Sequence, residues 1–342
     1  MQTAMETNAV EETELPRSVP PESVPPATVP PTSDTPKRDP STVTPTPEAL
    51  RSEQTFAFLV AVVPFLALLG AIAWHVITLT DLAISVVMYA ITGFGITVGF
   101  HRLFTHKSFE CPKWVRTAFQ IAGSMAAEGP AIRWVADHRR HHAFSDRTGD
   151  PHSPHLRELH GVSGALRELW HAHIGWFFDP IKTRIKRFAP DLLVDRDVTK
   201  IDKRYYTWLA LSFAMPFVLG GAITLSLRGA LTALLWGGLV RMFFVHHVTW
   251  SINSICHVFG NRPFEARDKS SNVAWLAIPS LGESWHNGHH AFPTSAVHGL
   301  GRFQIDLSAL LISMLERLGL AWNVKRPTAA QVEDKRVVVA TT

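Results

Sequence analysis

Trp134-Val135-Ala136-Asp137-His138-Arg139-Arg140-His141-His142 is the stretch that decides how this chain is read. On an α-helix His138, His141 and His142 stand at i, i+3 and i+4, so three imidazoles project from one face toward a common centre. That is ligand spacing. A second copy, His286-Asn287-Gly288-His289-His290, lies far downstream, and a looser pair, His101 and His106 in His-Arg-Leu-Phe-Thr-His, lies upstream. A lone helical histidine is ordinarily a packed or solvated residue. Three boxes holding eight of the 18 histidines point instead to a polynuclear metal site.

The composition narrows what surrounds that site. Of 342 residues, 46% are hydrophobic and only 18% charged, a balance that leans away from a water-soluble protein. The two cysteines, Cys111 and Cys256, supply neither a disulfide framework nor an all-cysteine metal site, so metal binding falls to histidine. The net charge of +4 raises the question of nucleic acid. The basic residues, however, flank apolar runs, which is a membrane pattern, and no nucleic-acid partner is expected.

Residues 1–50 hold eleven of the 23 prolines and no aromatic residue, and read as a disordered, proline-rich tail. Four apolar runs follow, at about 56–78, 82–100, 207–227 and 229–249, each near the roughly 20 residues that a helix needs to cross a bilayer. Short polar breaks group them into two hairpins. Gly95 and Gly99, in the second run, read as small residues for close helix packing, because no strand precedes them as a dinucleotide fingerprint requires. The segment between the hairpins carries 18 Lys and Arg, whereas the outer turns carry only Arg228. The positive-inside rule then puts both termini and the large loop in the cytoplasm. All three histidine boxes fall on that same side. The expected fold is an all-α membrane protein whose membrane domain, 51–326, holds four transmembrane helices in two hairpins and a cytoplasmic helical cap, followed by a flexible tail at 327–342. Its expected location is the cell membrane.

Eight imidazoles exceed what one metal ion can use, so two metals are the economical reading, with His257 as a ninth candidate ligand. Ligand type alone leaves Fe, Zn and Cu open. The three boxes, with Thr249-Trp250-x-x-Asn253-Ser254-x-x-His257, Asp150-Pro151-His152, His173-Ile174-Gly175-Trp176 and Gly282-Glu283-x-x-His286, resemble the integral-membrane acyl-CoA desaturases of the stearoyl-CoA type. The resemblance runs from the first span to Val324 and implies a di-iron centre held by His101, His106, His138, His141, His142, His257, His286, His289 and His290, with Asn253 bound through water. It further implies that Trp250 lines the substrate tunnel, that O2 is a co-substrate, and that a cis double bond, at Δ9 by family expectation, enters a long-chain acyl thioester, with acyl-CoA expected. Beyond the metal ligands no catalytic residue is nominated.

Nine neutral ligands leave the metal charge uncompensated, so nearby carboxylates are expected to orient the imidazoles; Asp137, Asp150 and Glu283 are the candidates. The chain departs from the animal enzymes where a head-group arginine precedes the aspartate, here Ala136, and where Asp179-Pro180-Ile181 replaces an Arg-Lys pair. Asp137 and the shifted basic cluster Lys182, Arg184, Lys186 and Arg187 are the alternative head-group candidates. His246 and His247 lie inside the fourth span, where ionisable groups are costly and often functional. The sequence contains no cytochrome b5 module, dinucleotide fold or iron–sulfur cysteine cluster, so a separate reductase is the expected electron donor. Membrane hydroxylases use similar boxes and form the alternative enzyme class. A metal transporter would need ligands near mid-membrane, and these boxes lie at or beyond the span ends.

Overall fold

The computed structural model describes residues 39–157 and 160–337. Among the described residues, four helices are long and apolar enough to cross a bilayer: α1 (Pro47–Ala73), α2 (Leu79–Thr105), and, after the intervening cap segment, Tyr205–Thr224 and Leu227–His257. The cap contributes α3 (Lys113–Ser124), α4 (Ala131–Phe144) and α5 (Gly161–His173). The second hairpin is therefore α6 (Tyr205–Thr224) and α7 (Leu227–His257), followed by α8 (His286–Ala291), α9 (Leu307–Arg317) and α10 (Ala329–Asp334).

The expected all-α architecture of two hairpins is the one observed, with displaced boundaries. Helix α1 begins at Pro47, nine residues before the apolar run at Phe56, because Thr46 caps it and Pro47 occupies the first turn, where its missing N–H costs nothing. Residues 39–50 were assigned by composition to the tail. Instead Thr42–Val43 pairs antiparallel with Lys182–Thr183, and Asp39 accepts the Ser41 backbone N–H at 2.8 Å. The rest of that tail, 1–38, lies outside the described residues. The first interhelical turn was expected at Leu79–Asp81. These residues are helical, because Thr78 and Asp81 form a reciprocal capping box that starts α2 at Leu79. Asp81 also accepts a hydrogen bond from the Thr232 hydroxyl at 2.9 Å, which ties the two hairpins together.

At the other end, Ala329–Asp334 is helical although 327–342 was expected to be flexible, since Thr328 and Gln331 form a second capping box. The next residues hydrogen-bond to the Pro263–Glu265 segment, and 338–342 lie outside the described residues.

Helices α2 and α7 extend past the expected span ends and carry the site. The last eleven residues of α2, Gly95–Thr105, run as a π-helix, as does Leu234–Val240 of α7. Gly95 and Gly99 pack this stretch against α3: a Cβ on Gly95 would meet the backbone of Ala122 and Gly123, and one on Gly99 would meet Phe119. Both glycines serve close packing, as their spacing suggests. Phe100, Phe104, Val135 and Ile132 fill the resulting core between α2, α3 and α4.

Candidate metal centre

The π-helical end of α2 solves a geometric problem. Residues five apart on an α-helix point about 140° from each other, so His101 and His106 would diverge. In the π-helix the His106 N–H bonds the His101 carbonyl at 3.1 Å, an i to i+5 bond, and the two rings come to 4.8 Å centroid to centroid. They join His138, His142 and His289 in one group of five, in which one ring nitrogen from each lies within 4.8 Å of the others. His141, His257, His286 and His290 form an adjacent group of four with the same closeness. All nine nominated histidines are thereby gathered into two groups, each able to hold a metal ion.

The partition corrects one expectation. His138, His141 and His142 do not share a centre: His138 and His142 enter the group of five, and His141 enters the group of four. The second box behaves identically, with His286 and His290 together and His289 in the other group. Positions i and i+4 on a helix differ by only about 40°, while the adjacent residue is turned by about 100°, so each box straddles two centres.

The protonation logic fits a cation in each group. The Nδ1–H of His101 donates to Glu283 at 2.5 Å, that of His141 to Asp150 at 3.0 Å, that of His257 to Asp146 at 2.9 Å and that of His290 to Asp268 at 2.6 Å. An ionised carboxylate only accepts, so each of these rings in its neutral form keeps a bare lone pair on Nε2. Yet His286 Nε2 lies 3.1 Å from His257 Nε2 and 3.0 Å from His290 Nε2, and a neutral His286 has at most one proton there to offer. His106 Nε2 and His141 Nε2 are buried with no hydrogen-bond partner at all. Converging, unprotonated and unpartnered nitrogens are what imidazole ligands present to a metal ion.

The local electrostatics differ between rings: burial alone would lower His141, but the facing Asp150 outweighs it and raises its pKa. Burial, reinforced by neighbouring histidines, holds His106, His138, His142, His286 and His289 well below the ordinary histidine pKa. Burial also brings His290 down to about 4, with Asp268 opposing it. Burial alone would raise Asp146, Asp150 and Asp268; the facing histidines outweigh it and hold all three carboxyls well below their usual range.

Of the three nominated carboxylates, Asp150 and Glu283 orient imidazoles and Asp137 does not. Asp137 pairs with Arg133 at 3.3 Å, because its position one residue before His138 turns it away from the ligand stripe. Sequence reasoning missed Asp146 and Asp268. Asp146 lies closer to His142 in the chain than Asp150 does, so proximity alone could have nominated it. Asp268 is 22 residues from His290 and has no local signal. Also missed was the buried set around Glu283. Arg102, fully buried, donates to Glu283 at 3.0 Å and to the Ala296 carbonyl at 2.7 Å, and it pairs with Asp306 at 3.0 Å.

A cavity of about 910 Å³ reaches both histidine groups, touching His101 and His138 of one and His286 of the other. Its wall includes Phe56, Val60, Ile96, Trp134, Trp176, Phe177 and the nominated Trp250, with Asn253 and Glu128 among the polar residues. Burial pushes the Glu128 carboxyl up to about 7, against its hydrogen bonds from Trp134 and Thr249. Asp137 and Lys182 line the wall as nominated for the head group. There Glu53 faces Lys182 at 3.9 Å and Arg133 at 3.0 Å, and the Lys182 ammonium donates to the Phe177 carbonyl at 2.8 Å. Arg184 is not in the wall; its guanidinium holds the Thr42 carbonyl at 3.0 Å, across the strand pair that its backbone joins. Lys186 and Arg187 are exposed and also outside the wall. Within α7, His246 bonds the Ala126 carbonyl at 2.7 Å and stacks on Trp250, while His247 bonds His173 at 3.0 Å.

Residues 72–311 match the model of the family described as fatty acid desaturase. The chain is 43% identical over 307 residues to a hex-5-enoyl-[acyl-carrier protein] acetylenase of Moorena producens, covering 88% of this chain and 96% of that one. It is 37% identical over 280 residues to the Delta-9 acyl-lipid desaturase 1 of Arabidopsis thaliana, covering 80% and 84%. It is 38% identical over 245 residues to an sn-1 stearoyl-lipid 9-desaturase of Anabaena variabilis, covering 71% and 83%. With two histidine groups at the end of an apolar cavity and a family match over most of its length, this chain belongs to the fatty acid desaturase family.

Proposed function

We propose that the protein introduces a cis double bond into a long-chain acyl thioester, at Δ9 by analogy, using two iron ions held by the nine histidines and, through water, Asn253. The observation that carries this reading is that one largely apolar cavity touches both histidine groups, since oxidation of an unactivated methylene needs the chain and the redox centre side by side. When bound, the iron pair supplies the redox chemistry that uses O2 as oxidant. One turnover removes two hydrogens from adjacent methylenes and, with two electrons and two protons from outside, returns both oxygens as water.

The chain's own residues do the positioning. Glu283, Asp146, Asp150 and Asp268 hold four Nδ1 protons, so that the Nε2 lone pairs face inward and the rings cannot rotate. Trp134 stacks on His138 at 5.1 Å and its indole N–H donates to Glu128 at 3.0 Å, so one side chain both braces a histidine and shapes the acyl path. Trp250, pinned between His246 and Phe177, forms the opposing wall. Such walls exclude water from the acyl chain.

The head group is read as a thioester carrier. The cavity-lining Lys182 and Arg133 both face Glu53, which weakens the case for coenzyme A phosphates bound there and favours a carrier with fewer of them. The likeness to an enzyme named for a hexenoyl carrier-protein substrate supports a second reading, in which the acyl chain already bears a double bond. The termini and the histidine groups are assigned to the cytoplasmic side on the charge asymmetry of the loops, and the electron donor is assigned to a separate reductase system.

Expression in a desaturase-deficient host, wild type against His141→Ala, followed by whole-cell fatty-acid analysis by gas chromatography and mass spectrometry, tests the assignment. New cis-monounsaturated acid that disappears in the variant supports it and locates the bond. A hydroxy acid would replace it with a hydroxylase, and an alkynoic product from a fed alkenoyl substrate would establish the second reading.

A further inference from the structure

The two histidine groups differ in what encloses the carboxylates behind them. In the group of five, the carboxylate behind His101 is Glu283, itself enclosed by Arg102, Asp306 and His298. In the group of four, Asp268 holds His290 and sits in the loop between two exposed cations, Arg267 and Lys269. The backbone N–H of Lys269 donates at 2.7 Å to Asp146, whose same oxygen accepts from His257 at 2.9 Å. One loop therefore connects to two of the four histidines by hydrogen bonds alone. Arg147, also exposed, follows in the chain the Asp146 that accepts the Lys269 N–H. Among the described residues neither Arg147, Arg267 nor Lys269 takes part in an ion pair. Exposed Arg262, whose guanidinium holds the Ser270 carbonyl at 2.7 Å, adds a fourth cation, with Glu265 as the one outward acid of residues 261–269.

On the desaturase reading, whose electrons come from outside, we propose that the 261–269 loop together with Arg147 is the docking surface for a small acidic one-electron carrier protein. Electrons enter through the Asp268–His290 and Lys269–Asp146–His257 contacts into the group of four. Each encounter oxidises the carrier by one electron and reduces the metal pair by one. Two encounters, with two protons from water, complete the reduction of O2 alongside the two hydrogens taken from the acyl chain. Unpaired surface cations suit this role because they steer an acidic partner, and a transient redox complex needs a fast on-rate more than tight binding.

The test uses iron-loaded protein in detergent with a purified, acidic [2Fe–2S] ferredoxin as probe. The variant Arg147→Glu/Arg267→Glu/Lys269→Glu is compared with Arg196→Glu/Lys200→Glu/Arg317→Glu, which makes the same charge change at exposed cations elsewhere. The docking variant should bind the ferredoxin, and reoxidise it in stopped flow, at least about tenfold more weakly and slowly, with most of the salt dependence lost. Its iron content and its reduction by dithionite should match wild type. Equal effects of the two triple variants would overturn the proposal, as would a docking variant whose only change is weaker binding to vesicles of anionic phospholipid. The single variants Arg267→Glu and Lys269→Glu keep the comparison open should the triple variant fail to fold. Failure of the dithionite-reduced wild type to alter any acyl chain would instead remove the desaturase reading and leave the ferredoxin binding result standing.

Discussion

Asp268→Asn is the substitution that best separates the structure from a reading of the sequence alone. The asparagine keeps the size of the side chain but replaces an acceptor-only carboxylate with an amide, so the 2.6 Å hydrogen bond from His290 weakens and the Nδ1 tautomer is no longer enforced. Removing such an outer partner typically lowers metal affinity by about 10- to 100-fold, or about 1.4–2.7 kcal/mol. At a free iron concentration about ten times the dissociation constant, wild type carries about 1.8 irons per chain, from two sites each about 91% full. The variant's weakened site would then be about 50% to 9% full, giving about 1.4 to 1.0 irons per chain. Iron is read by plasma emission spectroscopy after equilibration against a chelator-buffered iron pool. Asp137→Asn is the paired control: Asp137 is one residue from His138 in sequence but bonds Arg133, so both irons should stay. A variant Asp268→Asn that retains both irons, or an Asp137→Asn that loses as much, would refute the assignment of carboxylates to histidines.

The remaining predictions use the titrating groups and the histidines of α7. For His106, His142 and His290, folded-state pKa values pushed below the ordinary 6.5 mean that their contribution to stability is complete above about 6.5 and is lost as pH falls toward the depressed values, with His290 near 4. Iron retained after brief acid exposure should therefore decline over this window, and a profile flat down to pH 4 would contradict the burial argument. Glu128 has the opposite sign. Its folded pKa of about 7 against an ordinary 4.5 makes stability fall as pH rises between the two, by about 3 kcal/mol at most. Glu128→Gln keeps an acceptor for the Trp134 N–H and should flatten the pH dependence of thermal melting from 5 to 8; an unchanged slope would sink the attribution. His246→Ala removes a hydrogen bond to the Ala126 carbonyl and a stack on Trp250, so it should lower the melting temperature and leave two irons in place; loss of an iron would make His246 part of the metal site.

Residue type and spacing made the histidines legible. The i, i+3, i+4 pattern needs only helix geometry, and the apolar runs need only the thickness of a bilayer, so the two hairpins and six of the nine histidines could be read along the chain, while the looser His101–His106 pair and His257 completed the set through the family resemblance. The span ends were less legible. The capping box at Thr78 and the cap at Thr46 move helix starts past the limits of the apolar runs, and apolar content alone does not register a hydrogen bond. The closeness of His101 and His106 was hidden for a related reason: a spacing of five converges only where a π-helix replaces the α-helix, and in α2 that occurs where Gly95 and Gly99 let α3 approach.

The sequence by itself determined the class of protein and the identity of the histidines, because periodicity and hydropathy are local properties of the chain. Tertiary structure alone decided which histidines share a centre, that Asp146 and Asp268 rather than Asp137 hold imidazoles, and that Arg184 is spent on a strand pair outside the cavity. Each of those outcomes depends on a rotation of about 100° per residue or on a partner many residues away, and neither can be read from spacing along the chain.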